Sequence, residues 1–320
     1  MAEMLLTIQS KGKLFSPPVK DGVKVEWDMV GSPGKLTFTT IKIPGNDMSF
    51  NEGDAVCFYY GGKQIFMGYV FTKQRDRQHH IKVTCYDQIR YLKNKYTYVF
   101  ENKTATQIIQ ALCKDFNLYT GSMDNTGYVI PAFGEENTAA LDIALKALQD
   151  TLANTGNMFV LYDDFGKITL KNAANMVSTT LIMEDTAENF DYSSSIDEET
   201  YNQVVLYYKE DDNKIKVYNA SNGEKIKQWG TLRYFEEVKN KTTAQNKANN
   251  LLKLYCRKSR SLKVKKAFGD VTVRGGTLIP IKLYLGDINV QNYMLVTKVT
   301  HNFYNDYYTM DLELDGAWEG

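Results

Sequence analysis

The sequence has no surplus of charge of either sign: 38 lysines and arginines stand against 38 aspartates and glutamates in 320 residues. Proteins that grip duplex DNA along its backbone carry a basic excess, because phosphate neutralisation dominates that affinity. The balance excludes a globally basic protein but leaves room for a local basic stripe. Long apolar runs are missing too, and nothing approaches the roughly 20 residues that span a bilayer. Met1-Ala2-Glu3-Met4-Leu5-Leu6 has neither the charged start nor the apolar core of a secretory signal. The expectation is synthesis in a cytoplasm, with no membrane insertion. Cysteine is scarce and forms no CxxC pair. Cys57 and Cys85 sit in alternating apolar stretches, so these residues, with Cys113 and Cys256, are expected as reduced thiols rather than disulfides.

The motifs of chemistry are also absent. No GxSxG elbow, Walker loop, GxGxxG turn or EF-hand loop occurs. The histidines number three. His79-His80 falls in a predicted turn without ligand spacing, and His301 ends a strand, where a satisfied edge or interface residue is expected. Gly61-Gly62 and Gly275-Gly276 open no helix at which a phosphate could sit. Asp163-Asp164 and Asp211-Asp212 are adjacent carboxylates in hairpin turns. Glycoside hydrolysis needs two carboxyls at a set separation across a cleft, whereas neighbours in a turn point apart into solvent. The sequence therefore predicts no catalytic, cofactor-binding or metal site, no cofactor and no enzyme.

What is present is strand. Residues from about 23 to 92 alternate almost throughout: Leu36–Thr39, a turn at Pro44-Gly45-Asn46-Asp47, Ala55–Tyr60, then the Gly61-Gly62 connection suited to a tight hairpin. Gln64–Thr72 carries apolar residues on both faces, and Ile81, Val83 and Cys85 mark a half-buried strand before Asp87. The middle changes character. Thr104-Ala105-Thr106-Gln107 fits a capping box, and Ile108, Leu112 and Phe116 recur at helical spacing. A short strand is expected near Tyr128–Ile130. A second helix is expected over about 138–154, with Leu141, Leu145, Leu148 and Leu152 inward. Met158–Tyr162 and Lys167–Lys171 then make a hairpin. The last third returns to strands at Tyr201–Lys209, Lys214–Ala220, Ser261–Ala267, Leu278–Leu285, Tyr293–His301 and Tyr307–Leu314, interrupted by a helix over about 242–257.

The fold class expected is mainly β with an α+β insert: two similar antiparallel, barrel-like modules at 1–95 and 176–320 flanking an α+β domain at 96–175. Strand, strand, polar turn and strand ending on Asp87 parallels the same succession ending on Asp315. Two readings stand: a true duplication, or two meanders that merely look alike. The 22 tyrosines include the strand doublets Tyr59-Tyr60, Tyr207-Tyr208 and Tyr307-Tyr308, in which one ring must face each side. Ordinary β propensity and contact with neighbouring subunits both account for them.

Gly31-Ser32-Pro33-Gly34-Lys35-Leu36-Thr37-Phe38, Phe50-Asn51-Glu52-Gly53-Asp54-Ala55-Val56 and Phe66-Met67-Gly68-Tyr69-Val70-Phe71 carry a resemblance. So do Tyr86-Asp87-Gln88-Ile89-Arg90-Tyr91-Leu92-Lys93-Asn94, Tyr293–Val296 with Val299-Thr300-His301, and Tyr308–Leu314. Taken in order, over about residues 25–315, they resemble the PBSX (XkdQ-type) phage tail hub family, related to contractile-tail hubs and the hub part of type VI secretion spikes. The resemblance implies a homotrimer at the tail baseplate of a phage or phage-tail-like bacteriocin. Its two barrel-like modules, taken three times, would make a pseudo-sixfold ring joining the tail tube protein to the central spike protein. Tape-measure and baseplate wedge proteins are further implied partners. The alternatives are a peptidoglycan hydrolase and a cell-wall-binding tail component.

Overall fold

The computed structural model describes residues 2–41, 49–197, 199–211, 214–284 and 289–316. Strands begin earlier than the alternation suggests: β1 (Met4–Ser10) and β2 (Lys13–Phe15) form a hairpin ahead of β3 (Val19–Asp28) and β4 (Lys35–Ile41). The turn expected at Pro44–Asp47 lies outside the described residues. β5 (Ala55–Tyr60), β6 (Lys63–Arg75) and β7 (His80–Tyr86) follow. Gly61 and Gly62 join β5 to β6 with φ of 56° and 74°, the left-handed pair of a primed turn whose twist suits the strands it connects. A 3-10 turn over Gln88–Lys93, capped by Asp87, leads out of this meander.

The middle segment runs β8 (Lys95–Thr104), α1 (Ala105–Asp115), β9 (Thr120–Met123), β10 (Val129–Ala139), α2 (Ala140–Thr155), β11 (Phe159–Asp163) and β12 (Ile168–Asn172). The capping box forms as read: the Gln107 amide donates to Thr104 Oγ1 at 3.3 Å and the Thr104 amide to Gln107 Oε1 at 3.0 Å. The strand expected near Tyr128–Ile130 extends to Ala139 because it pairs with β8. On α2, Leu141 and Leu148 are buried as expected, but Leu145 and Leu152 are only half-buried, and Ala140, Ala144 and Ala147 take the innermost positions. The helix packs on two other helices, α1 and a later one (α4, below), and small side chains let their backbones approach.

The last third holds β13 (Ile182–Met183), β14 (Asn189–Ser195), β15 (Gln203–Asp211), β16 (Lys214–Ser221), α3 (Gly223–Trp229), β17 (Arg233–Glu237), α4 (Ala244–Tyr255), β18 (Ser259–Phe268), β19 (Leu278–Tyr284), β20 (Asn289–Phe303) and β21 (Tyr308–Gly316). Leu285, expected to end β19, lies outside the described residues. β16, β15 and β17 form a small sheet of their own beneath α4, with Val204, Leu206, Ala248 and Leu251 in its core.

Strand order resolves the likeness of the two ends. The first meander pairs β3-β4-β7-β6-β5-β1, and the second pairs β14-β18-β21-β20-β19-β13. The chain visits both in the same sequence, except that residues 196–258 intervene between β14 and β18. Every neighbouring pair is antiparallel but β13–β19. Both meanders also carry a bulge at the same place. The register shifts between Val70 and Thr72 in β6–β7 and between Val296 and Lys298 in β20–β21. Matching the bulges sets Leu36 opposite Leu262 and Phe38 opposite Val264, all four buried.

The two meanders are not separate bodies. The second half of β20 pairs with β3, from Lys298 opposite Asp28 to Phe303 opposite Val23, and fuses the strands into one hydrogen-bonded network. One apolar core results, in which Phe58 of the first meander meets Phe303 of the second edge-on at 5.0 Å. The architecture is mainly antiparallel β with an α+β insert, as the sequence predicts.

Candidate functional site: a buried junction between the meanders and the insert

Where the β11–β12 hairpin meets both meanders, charge is buried. Asp87 follows β7 and is 3% exposed. Its carboxylate accepts from the Gly34 amide at 2.8 Å and from the Ile89 amide at 3.0 Å. The first bond ties the start of β4 to the end of β7; the second caps the 3-10 turn. Glycine is required at 34, because a Cβ there would collide with the Asp87 carboxylate and the Trp27 indole.

Asp163 ends β11 and is 5% exposed. This corrects the expectation that Asp163 and Asp164 both face water. Asp163 accepts from the Gly166 amide at 2.6 Å, closing the turn, and at 3.3 Å from both the backbone and side-chain amides of Gln88. Gln88 also donates to the Gly166 carbonyl and accepts from the Tyr119 amide. One glutamine side chain thus stitches the end of the first meander to two loops of the insert.

The cation of the cluster is Arg274, on the loop before β19. Its guanidinium lies 4.1 Å from the Tyr162 ring and 4.9 Å from the Trp27 ring, so it is held between insert and first meander. Next to it, a side chain at Gly275 would strike the backbone of Met29, and one at Gly276 would strike Val160. This loop therefore presses directly on both neighbours. Burial pushes the Asp87 carboxyl well above the usual carboxylate range, reinforced by Asp163 nearby and opposed by the amides it accepts from and by Arg274. Burial raises Asp163 as well, against the Gly166 and Gln88 donors and Arg274. The space among these groups has a volume of about 20 Å³, room for one water and for no substrate. Two carboxyls in so small a space act as a clasp.

His301 is buried, not at an edge. Its Nε2 donates to the Val273 carbonyl at 2.9 Å, and Nδ1 accepts from the Tyr308 hydroxyl at 2.6 Å. Burial lowers it to about 4, so it is the neutral Nε2–H tautomer that packs against Trp27 and Phe303. His79 adopts φ 64° in its turn, and His80 bonds Asp76 at 2.9 Å. The tyrosine doublets divide as expected. Tyr308 stacks inward on Phe303 and Tyr60 packs against the same ring at a tilt, Tyr307 is 56% exposed, and Tyr208 faces α4 while Tyr207 lies on the opposite face. Gly34, Gln88 and Arg274 are the junction residues that sequence reasoning missed. Their partners lie 31 residues away or farther, and no local pattern announces such a bond.

The model of the YQBQ-like family matches residues 23–315. Two proteins of Bacillus subtilis (strain 168) are each 31% identical to the chain, with 92% of both chains covered: YqbQ over 306 residues, and the phage-like element PBSX protein XkdQ over 305. Among solved structures, the 43 kDa tail protein of prophage MuSo2 from Shewanella oneidensis shares the fold with a TM-score of 0.71 at 13% identity, covering 97% of this chain and 98% of that one. The E. coli c3393 protein also shares it. That protein is a type VI secretion component described as structurally similar to the T4 tail proteins gp27 and gp5. The match has a TM-score of 0.56 at 11% identity over 98% of this chain and 77% of that one. At these identities the structural likeness is one of fold. The match over nearly the whole chain and the 31% identity of two full-length relatives make the chain a member of the YQBQ-like family.

Proposed function

We propose that the chain is a structural component of a phage-type tail: the baseplate hub of a contractile tail or a related bacteriocin particle, acting as a homotrimer between tail tube and central spike. The observation that carries this reading is the repeated meander, two copies with the same strand order and the same bulge, alike in pairing except that β1–β5 is antiparallel and β13–β19 parallel, fused through β20 and β3. A threefold assembly of such a chain offers six similar strand modules, which suits a sixfold tube above a threefold spike. In this reading residues 1–95 and 176–320 supply the ring, and the 96–175 insert faces outward toward wedge proteins. The buried clasp fixes that insert to the ring, so load applied to one passes rigidly to the other. The fold shared with tail proteins and the kinship to a PBSX element protein support the same assignment.

Co-expression with tail tube and spike proteins tests it. The hub reading expects the chain to co-purify with tube and spike proteins and to appear as a threefold ring in electron micrographs of the particle. A chain that joins neither partner, or that sits elsewhere in the particle, would overturn it. Clearing of purified peptidoglycan by the isolated chain would favour a lytic role instead.

A further inference from the structure

β8 and β10 form a two-stranded ribbon that, among the described residues, pairs with no further strand. One face lies on the insert: Tyr98 and Phe100 of β8 and Phe133 of β10 pack against its core. The other face turns outward, and Val99 there is 73% exposed. Both long edges of the ribbon are open. On each, every second residue turns its amide and carbonyl away from the partner strand, a template for one more strand. The β10 edge is blunted by Pro131, which lacks an amide proton, and by a register shift between Glu135 and Thr138. The β8 edge has neither device. It runs on from Lys95 to Glu101, and Asn102, at φ 50°, ends the run.

Residue order along that edge indicates what covers it. Aromatic and β-branched side chains alternate between a lysine at one end and a glutamate at the other: Lys95-Tyr96-Thr97-Tyr98-Val99-Phe100-Glu101. Set antiparallel to itself with Tyr98 opposite Tyr98, the run brings Lys95 opposite Glu101 at both ends, Tyr96 opposite Phe100 and Thr97 opposite Val99. Each is a favourable cross-strand pair on a single face. Lys95 and Glu101 are exposed and, among the described residues, have no ion-pair partner within the chain. Tyr96 is 63% exposed at the end of a row in which Tyr96, Tyr98 and Phe100 follow one another at 5.2 and 5.8 Å. The pairing continues that row into the other copy. Other registers lose the match. A slide of two residues sets Lys95 opposite Lys103 one way and opposite Val99 the other. A slide of one sets the helix-facing row against the solvent-facing row.

We propose that β8 pairs antiparallel with β8 of a second copy of this chain, Tyr98 opposite Tyr98, so that two ribbons become one four-stranded sheet. The contact is isologous and closes on itself after two copies. It lies in the insert and leaves both meanders free, so it goes beyond the hub reading and does not depend on it. A chain that used both contacts would join two threefold rings across twofold axes.

Sedimentation equilibrium of the full-length chain tests the proposal, with Lys95→Glu, Glu101→Lys and the double exchange as variants. Both positions are exposed and lie opposite alanines of β10, so circular dichroism and the thermal transition should match wild type. Seven paired residues make a small interface, so wild type should pair with a Kd on the order of micromolar. Each single exchange puts like charges opposite each other at both ends and should weaken pairing roughly tenfold. The double exchange restores unlike charges and should restore pairing. Single variants that pair as wild type does would overturn the proposal, as would a double exchange no better than the singles. A wild-type chain still monomeric at about 0.5 mM would do the same. Exchanges that release another tail protein while self-association is unchanged would refute it in favour of a different occupant. A trimer indifferent to all three variants would refute β8 pairing and leave the hub reading standing, since that reading fails separately, on co-purification with tube and spike.

Discussion

Replacing Asp87 with alanine removes the shared acceptor of two buried amides, those of Gly34 and Ile89, at 2.8 and 3.0 Å. A buried donor left without a partner costs about 1–3 kcal/mol. Two such donors, less the relief of freeing Asp163 from a neighbouring carboxyl, put the loss at about 2–4 kcal/mol. Asp87→Asn keeps one acceptor oxygen and should cost about half as much. Urea unfolding followed by tryptophan fluorescence measures both, with Trp27 as the reporter whose indole lies against the clasp among the chain's three tryptophans. Both variants should also differ from wild type in pH response, since neither carries a titratable group at this position. The Asp87 carboxyl is raised in the folded state, so the folded chain holds its proton more tightly than the unfolded chain. That contribution to stability is complete below the unfolded value near 3.8 and is lost as pH rises through the folded value. Wild type should therefore gain on Asp87→Asn as pH falls from 7 toward 4. A loss under about 0.5 kcal/mol in Asp87→Ala, or a wild-type advantage that shrinks with acid, would refute the clasp.

His301 should titrate with the opposite sign. It is lowered to about 4 in the fold, so the unfolded chain binds more protons between pH 6.5 and 4, and stability falls as pH drops through that window. The difference corresponds to about 3 kcal/mol, visible as an acid slope in urea midpoints that a His301→Gln variant flattens. Thr104→Ala opens the capping box at the start of α1 and should cost about 1 kcal/mol in thermal or urea unfolding.

Local patterns were legible wherever local physics decides. Gly61-Gly62 announced its turn because two successive left-handed residues favour glycine. Thr104 and Gln107 announced a helix start because three-residue spacing lets each satisfy the other's amide. Ile81, Val83 and Cys85 announced a strand with one buried face. Asp163 misled for the same reason: beside Asp164 in a turn it reads as solvated, and only the approach of Gln88, 75 residues distant, buries it.

By itself the sequence determined the class of fold, the strand-rich ends, the helical middle and the want of catalytic motifs, since periodicity and turn chemistry act over a few residues. Tertiary structure alone decided that the two ends repeat one strand order and that β20 joins β3. It also decided that residues 203–255 carry their own sheet, and that two carboxyls lie clasped between insert and meanders. Those outcomes depend on pairings between distant segments. The free energy of such a pairing comes from surfaces that exist only once both partners have folded.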